Sequence, residues 1–220
     1  LRRLAALERN QLTEQPRNAV LWVELARQYA SLGVVQKSVR AIEAAVFLAP
    51  GNRYVVRSAV RALVHFERAD VALNILRTSD LTKIDPWLVA AELAVSRAVK
   101  KTPRLTRSAI AWANHRDVLP LHISELRAAL ATLEWSDGSA KSARRLLTKS
   151  LDSATDNTIA QAQWISRRIG NFQVPHQVLV STPMSFEALS LWHFQQEEIA
   201  EAVSASELWL RDQPFSTRPA

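Results

Sequence analysis

The sequence predicts an all-α protein built as an α-solenoid of antiparallel helix pairs. Apolar residues recur at helical spacing over about twelve segments, and no strand-like alternation of apolar and polar residues separates them. Only four glycines occur in 220 residues, whereas Ala, Leu, Arg and Glu are frequent, a composition typical of helices. Because the connections are short, neighbouring helices are expected to fold back on each other, and a series of such pairs favours a solenoid over a bundle.

The best-defined helices are predicted near the N-terminus. A first helix covers residues 1–14, and the segments 18–32 and 35–49 follow it as a pair. Asn18 is a suitable N-cap for the first member of the pair, and Gly33 ends that helix. The short turn at Gly33 therefore predicts an antiparallel helical hairpin.

The next helices are predicted from weaker signals. Residues 52–80 keep the apolar positions of the preceding pair, although no glycine marks the turn. Asp85–Pro86 is a clear start for a helix over 86–100, because an N-cap carboxylate is followed by proline at the first helical position. Thr102–Pro103 is predicted to begin a helix over 103–114.

The stretch 115–122 is irregular and is predicted to interrupt the repeats. It would divide the chain into basic repeats at 1–114 and degenerate helical repeats at 123–220. The helices expected after it are 121–135, 139–152, 156–168, 176–181, 185–196 and 198–212. We expect the chain to be a segment of a larger protein in which the repeats continue beyond residue 220.

Residues 16–50 carry a recognisable pattern. Pro16 and Pro50 mark its two ends, and PRN at 16–18 recurs as PGN at 50–52. Eight positions fit the pattern at the right spacing: Trp22, Leu25, Ala26, Tyr29, Ser38, Ile42, Ala45 and Pro50. In spacing and residue order this stretch resembles a tetratricopeptide repeat. The resemblance implies a right-handed solenoid of the tetratricopeptide type, with the other helix pairs as degenerate repeats.

The resemblance also implies a concave groove lined by the first helix of each pair. The groove-facing positions of that family map onto Val20, Val23, Arg27 and Ser31, and then onto Tyr54, Arg57, Arg61 and His65. The residues expected to bind a partner are Arg27, Tyr54, Arg57, Arg61 and His65. Guanidinium groups bind carboxylates and phosphates through paired hydrogen bonds, which suits an acidic ligand. The alternative is that these arginines are solvated or pair with neighbouring Glu residues.

One kind of groove is not expected here. Chaperone-binding members of the family hold an extreme C-terminal peptide with a Lys and Asn clamp for two carboxylates. Val23 and Arg27 occupy the corresponding positions of the first repeat. The clamp is therefore absent, and a peptide of the EEVD type is not the expected ligand.

Charge and composition indicate the kind of partner and exclude several kinds of site. Residues 1–120 carry 19 Lys and Arg against 10 Asp and Glu, whereas residues 121–220 carry 9 against 11. The N-terminal half is thus the expected contact for an acidic partner. With no cysteine, the chain can form neither disulfides nor thiolate metal sites, which fits a reducing compartment such as the cytoplasm. No apolar run approaches the length of a membrane span, so no membrane contact is expected.

No catalytic, metal or cofactor site is predicted. His115, Asp117 and His122 form the only cluster of metal-ligating residue types, and ordinary loop histidines explain it better. Four isolated glycines cannot form a phosphate-binding loop. The seven tryptophans could stack on nucleic-acid bases, but their helical spacing beside Ala and Leu favours packing.

These observations predict a non-catalytic scaffold for protein–protein interaction that binds an acidic peptide or a partner domain in its groove. One alternative is a helical repeat domain that contacts nucleic acid through its basic half. Another is a regulatory domain of a multidomain enzyme or sensor. The sequence predicts neither a cofactor nor an oligomeric state.

Overall fold

The computed structural model describes residues 1–115, 117–170 and 172–213. Within these ranges the protein is all-helical, with thirteen α-helices, two short 3₁₀ segments and no strand. The predicted all-α class is therefore confirmed. None of the described helices combines the length and the apolar character that crossing a membrane requires.

The chain forms two compact units, which divide between Arg104 and Leu105. The irregular stretch 115–122 falls within the second unit, where its residues 120–122 begin a helix, and Arg116 within it is outside the described residues. Residues 214–220, the end of the predicted second repeat region, are outside them as well.

The first unit contains six α-helices: α1 Arg2–Glu14, α2 Ala19–Ser31, α3 Val35–Leu48, α4 Arg53–His65, α5 Ala69–Thr78 and α6 Pro86–Ala98. Each helix packs against the next in the chain, and α4 also contacts both α2 and α6. The helices α2, α4 and α6 thus lie side by side. They begin at Ala19, Arg53 and Pro86, so that successive helix starts are separated by nearly the same length of chain.

Equivalent side chains begin these three helices. The Asn18 side chain accepts a hydrogen bond from Leu21 N–H, and Asn52 accepts one from Val55 N–H in the same way. Asp85 accepts from the N–H groups of Trp87 and Leu88. Each cap satisfies backbone donors that the first helical turn leaves unpaired. The predicted helix starts at Asn18 and at Asp85–Pro86 therefore match the structure.

Equivalent turns also end the three helices. Gly33, Glu67 and Lys100 have φ angles of 72°, 59° and 56°, in the left-handed region. The residue after each of them donates its backbone N–H to the carbonyl of the residue five positions before it, which is the hydrogen bond of a Schellman motif. The three bonds run from Val34 to Tyr29, from Arg68 to Leu63 and from Lys101 to Ser96. The second pair thus keeps the turn that its sequence does not show, with Glu67 in place of a glycine.

Small residues bring α2 and α3 close together. Ala26 and Ser38 are both buried, and Ser38 Oγ donates a hydrogen bond of 2.7 Å to the carbonyl oxygen of Ala26. Ile42 and Ala45 continue the buried face of α3. On α4 the buried face includes Val56, a position equivalent to Trp22.

The start of α7 differs from the prediction. The helix begins at Thr106 and not at Thr102–Pro103. The preceding residues are held by a buried carboxylate, since Glu92 Oε1 accepts a hydrogen bond of 3.1 Å from Arg104 N–H. Arg77 donates to the same oxygen at 3.2 Å and to the carbonyl of Thr102 at 2.9 Å. These contacts hold residues 102–104 outside a helix and delay its start.

The second unit contains α7 Thr106–Asn114, α8 Pro120–Ser136, α9 Ala140–Ser150, α10 Asp156–Ser166, α11 His176–Ser181, α12 Phe186–Gln195 and α13 Ile199–Asp212. The helix α8 packs against α7, α9 and α10, while α12 packs against α10, α11 and α13. Polar side chains link the neighbouring helices α8, α10 and α12: Thr158 to Ser124, Thr155 to Glu125, Gln161 to Thr132 and Gln163 to Gln195.

Candidate partner-binding surface

Four of the five predicted binding residues lie on one face of α4. Tyr54, Arg57, Arg61 and His65 follow one another at three- and four-residue spacing, which places them along one side of a helix. Tyr54 is exposed, and the other three are half-buried. The remainder of α4 faces the core through Val55, Val56, Ala59, Val60 and Leu63.

Tyr54 is joined to α2. Its hydroxyl donates a hydrogen bond to Glu24, 30 residues earlier in the chain. Burial, this hydrogen bond and the Glu24 charge raise the pKa of Tyr54 to about 12, while the charge of Arg27 acts in the opposite direction. Arg27 is exposed on α2 three residues after Glu24, so it lies on the same side of that helix.

Arg57 is joined to α6. Its guanidinium carbon lies 4.1 Å from the centroid of the Trp87 ring, a cation–π contact between α4 and α6. The indole thus holds the planar group in one orientation. Arg61, one turn further along α4, makes no hydrogen bond or ion pair with the residues that the structure describes. Its guanidinium donors are available to a ligand.

Trp87 belongs to this surface although it was not among the predicted residues. Trp87 does not occupy the position in its helix that Trp22 has in α2. Trp87 is the second residue of α6, as Tyr54 is of α4 and Val20 is of α2. Counting from each N-cap would have revealed this equivalence, because the three caps recur at a nearly constant interval. The core position of Trp22 corresponds to Val56 and Val89 in the later helices.

Carboxylates occupy the α1–α2 side of the surface. Glu8 lies on α1 and Glu24 on α2, and burial together with the negative charge of Glu24 raises the pKa of Glu8 above its ordinary value. One further arginine is engaged elsewhere, since Arg53 forms an ion pair with the buried Asp85 side chain at the start of α6. The surface is therefore polarised, with Glu8 and Glu24 on one side and Arg57 and Arg61 on α4.

The other residues considered from the sequence do not assemble a site. His115 Nδ1 and Asp117 Oδ2 are 3.9 Å apart, and both side chains are exposed. No group of three or more potential metal ligands occurs within residues 1–115, 117–170 and 172–213. Glu92 and Arg77 were missed by the sequence reasoning, and their buried network holds the segment before α7.

The surface formed by α2, α4 and α6 combines an oriented arginine, an available arginine and an exposed phenol. We call it the α2–α4–α6 surface, defined by Glu24, Arg27, Tyr54, Arg57, Arg61, His65 and Trp87. Guanidinium forks bind carboxylates bidentately, and aromatic rings beside them supply apolar contact. No protein-family model matches the chain, and no curated protein is significantly similar to it.

Proposed function

We propose that this protein is a non-catalytic interaction scaffold and that its α2–α4–α6 surface binds an acidic peptide or an acidic segment of a partner domain. The observation that carries this proposal is the placement of Arg57 and Arg61 on one face of α4, with Arg57 held against Trp87. A guanidinium that is already oriented loses less conformational freedom when it binds a carboxylate.

The proposal includes a tetratricopeptide-like solenoid for the first unit. Its support is the recurrence of helix starts, N-caps and left-handed turns at a nearly constant interval along the chain. The contacts of α4 with α2 and α6 add to this support. In such an arrangement the first helices of successive pairs present one continuous surface, so that residues from several repeats can contact one extended ligand.

Charge reversal at Arg61 is the sharpest test of the proposed surface. Peptides that bind the chain would be selected from a displayed random library, and their affinities measured by fluorescence anisotropy. Arg61→Glu should weaken the binding of acidic peptides by about tenfold or more, since it replaces an attraction by a repulsion. Arg68→Glu, an exposed arginine outside this surface, is the matched control for net charge.

A variant at Arg57 needs a measurement of stability beside the measurement of binding. Reversing its charge removes the contact with Trp87, so Arg57→Glu should also lower the free energy of unfolding by about 0.5–1 kcal/mol. Circular dichroism of each variant separates this loss from an effect on binding. If Arg61→Glu binds the selected peptides as tightly as the wild type does, the α2–α4–α6 surface is not the binding site.

The charge of the first unit favours one alternative function. Residues 1–104 carry 17 Lys and Arg against 9 Asp and Glu, which suits contact with nucleic-acid phosphates. Binding of that kind would weaken steeply as salt is added. Titrations with duplex and single-stranded DNA and RNA at two salt concentrations test it, and undetectable binding at low salt would eliminate it.

A further inference from the structure

A cavity in the first unit lies on a different side of α2 from the α2–α4–α6 surface. It has a volume of about 460 Å³ and lies between α1 and α3, with α2 as its floor. Trp22, Leu25 and Tyr29 line the floor at three- and four-residue spacing. Because each residue turns a helix by about 100°, Arg27 lies about 140° around α2 from Trp22. The cavity is therefore distinct from the α2–α4–α6 surface.

The floor of this cavity is apolar, and α3 leaves space above it. Leu25 and Ala41 are almost completely buried, while Trp22 is half-buried. The indole N–H of Trp22 donates to the carbonyl of Pro16 at 2.9 Å, so the ring offers the cavity only its apolar area. Ala41 and Ala44 on α3 have no side chain beyond Cβ that could fill the space.

The rim of the cavity is cationic. Arg9 on α1 and Lys37 and Arg40 on α3 are exposed, and no Asp or Glu is among the lining residues. Neither Arg9 nor Arg40 is paired with a carboxylate of a described residue, and the Lys37 ammonium lies 5.8 Å from the centroid of the Tyr29 ring. Three positive charges around an apolar floor complement a ligand that is apolar at its centre and acidic around it.

An exposed aromatic residue follows the cavity-lining residues along α3. Phe47 is 86% exposed, the largest value among the large apolar side chains of the described residues. It follows Lys37, Arg40 and Ala44 at three- and four-residue spacing, and so lies on the same side of α3. An exposed aromatic side chain next to an apolar cavity with a polar rim is a pattern typical of protein-interaction sites.

We propose that this cavity, the α1–α3 pocket, is a second docking site that receives an apolar side chain of a partner segment flanked by Asp or Glu. The apolar side chain enters above Trp22 and Leu25, and the flanking carboxylates pair with Arg9, Lys37 and Arg40. This site uses none of the residues of the α2–α4–α6 surface, so it stands whether or not that surface binds a peptide.

The probe for this site is a set of short synthetic peptides in which one Phe, Leu, Ile or Trp is flanked on both sides by Asp and Glu. The whole chain, labelled with ¹⁵N at its seven tryptophan indoles, is titrated with each peptide by NMR. The Trp22 indole signal, assigned with Trp22→Phe, should shift on binding. A peptide with Ser in place of the apolar residue, and one with Lys in place of the acids, should leave it unmoved.

Two variants locate the site, and both keep the α2–α4–α6 surface intact. Arg9→Glu/Arg40→Glu should weaken the peptide binding that is followed through the Trp22 signal by about tenfold or more. Ala44→Leu should do the same by filling the cavity without changing any charge. Arg17→Glu/Arg68→Glu, which makes the same change in net charge at exposed positions outside the pocket, should show the same peptide-induced shift of the Trp22 signal as the wild type.

Several outcomes would overturn this proposal. One is that no peptide of the set shifts the Trp22 signal at concentrations up to about 1 mM. Another is that the Ser or Lys control peptides bind equally well. A Trp22 shift caused only by dodecanoate would indicate a fatty-acid site, and a shift caused by protein concentration alone would indicate a second copy. A wild-type shift of the Trp22 signal in Arg9→Glu/Arg40→Glu, shown by circular dichroism to be folded, would exclude the pocket.

Discussion

At the scale of single residues, Tyr54 and Arg57 show how one helix face can be held from two sides. The Tyr54 hydroxyl donates to Glu24 on α2, and the Arg57 guanidinium stacks on Trp87 of α6. Both contacts join residues that are distant in the chain. A side chain that a neighbouring helix holds in place is better prepared to bind a ligand than one that moves freely in solvent.

The raised pKa of Tyr54 predicts a pH dependence of stability. An unfolded tyrosine ionises near 10.0, whereas folded Tyr54 keeps its proton until about 12. The folded state therefore binds more protons than the unfolded state in this window, and stability is lost as pH rises from 10 to 12. Urea unfolding followed by circular dichroism at several pH values across this window measures the loss.

The matched variants for that measurement are Tyr54→Phe and Glu24→Gln. Tyr54→Phe removes the titrating group, so the wild type should lose more stability than this variant over the same pH range. Glu24→Gln removes the negative charge next to the phenol, and should lower the pKa of Tyr54 in an absorbance titration of tyrosinate. Identical pH profiles for the wild type and Tyr54→Phe would contradict the assigned pKa.

At the scale of elements, the left-handed turns explain how pairs of different sequence keep the same form. The turn after α2 uses Gly33, whereas the turns after α4 and α6 use Glu67 and Lys100. A residue with a Cβ in this conformation costs about 1–2 kcal/mol relative to glycine. The hydrogen bonds of the Schellman motif and the packing of the following helix offset that cost.

This cost predicts that glycine substitutions at two of the turns are stabilising. Glu67→Gly and Lys100→Gly should each raise the free energy of unfolding by about 0.5–1 kcal/mol, because both residues have positive φ. Gly33→Ala should lower the free energy of unfolding by about 1 kcal/mol. The cause would be the positive φ angle and not a steric clash, since an added Cβ would meet nothing within 4 Å. Urea denaturation monitored by circular dichroism measures all three.

Gly51→Ala is the control for these substitutions. Gly51 has no positive φ, and its added Cβ would also meet nothing within 4 Å. Its replacement should therefore be neutral or slightly stabilising, because alanine reduces the freedom of the unfolded chain. Destabilisation by Glu67→Gly would show that the Glu67 side chain contributes more than its backbone strain costs.

At the scale of the whole molecule, the division between Arg104 and Leu105 can be tested with fragments. Residues 1–104 should fold alone, with helical circular dichroism and one cooperative urea transition, because they form a compact unit with its own core. A fragment of residues 1–114, which ends where the sequence places the boundary, is the comparison. Its free energy of unfolding should agree within about 0.5 kcal/mol.

The comparison also has an outcome that contradicts the structure. If residues 1–104 are unfolded whereas residues 1–114 fold, α7 belongs to the first unit and the boundary near 115 is correct. The contacts of α7 argue against that result, since it packs on α8 and Arg127 of α8 donates to the carbonyl of Ala113 at 3.2 Å.

The sequence alone was sufficient for the helical class, the positions of most helices and the residues of one α4 face. These features depend on local chemistry: Asn18 and Asp85 cap helices, Gly33 permits a left-handed turn, and apolar spacing marks the buried sides. Tertiary structure decided the features that depend on distant residues. Glu92 and Arg77 set the start of α7, and Trp87 meets Arg57 only because α4 and α6 are neighbours.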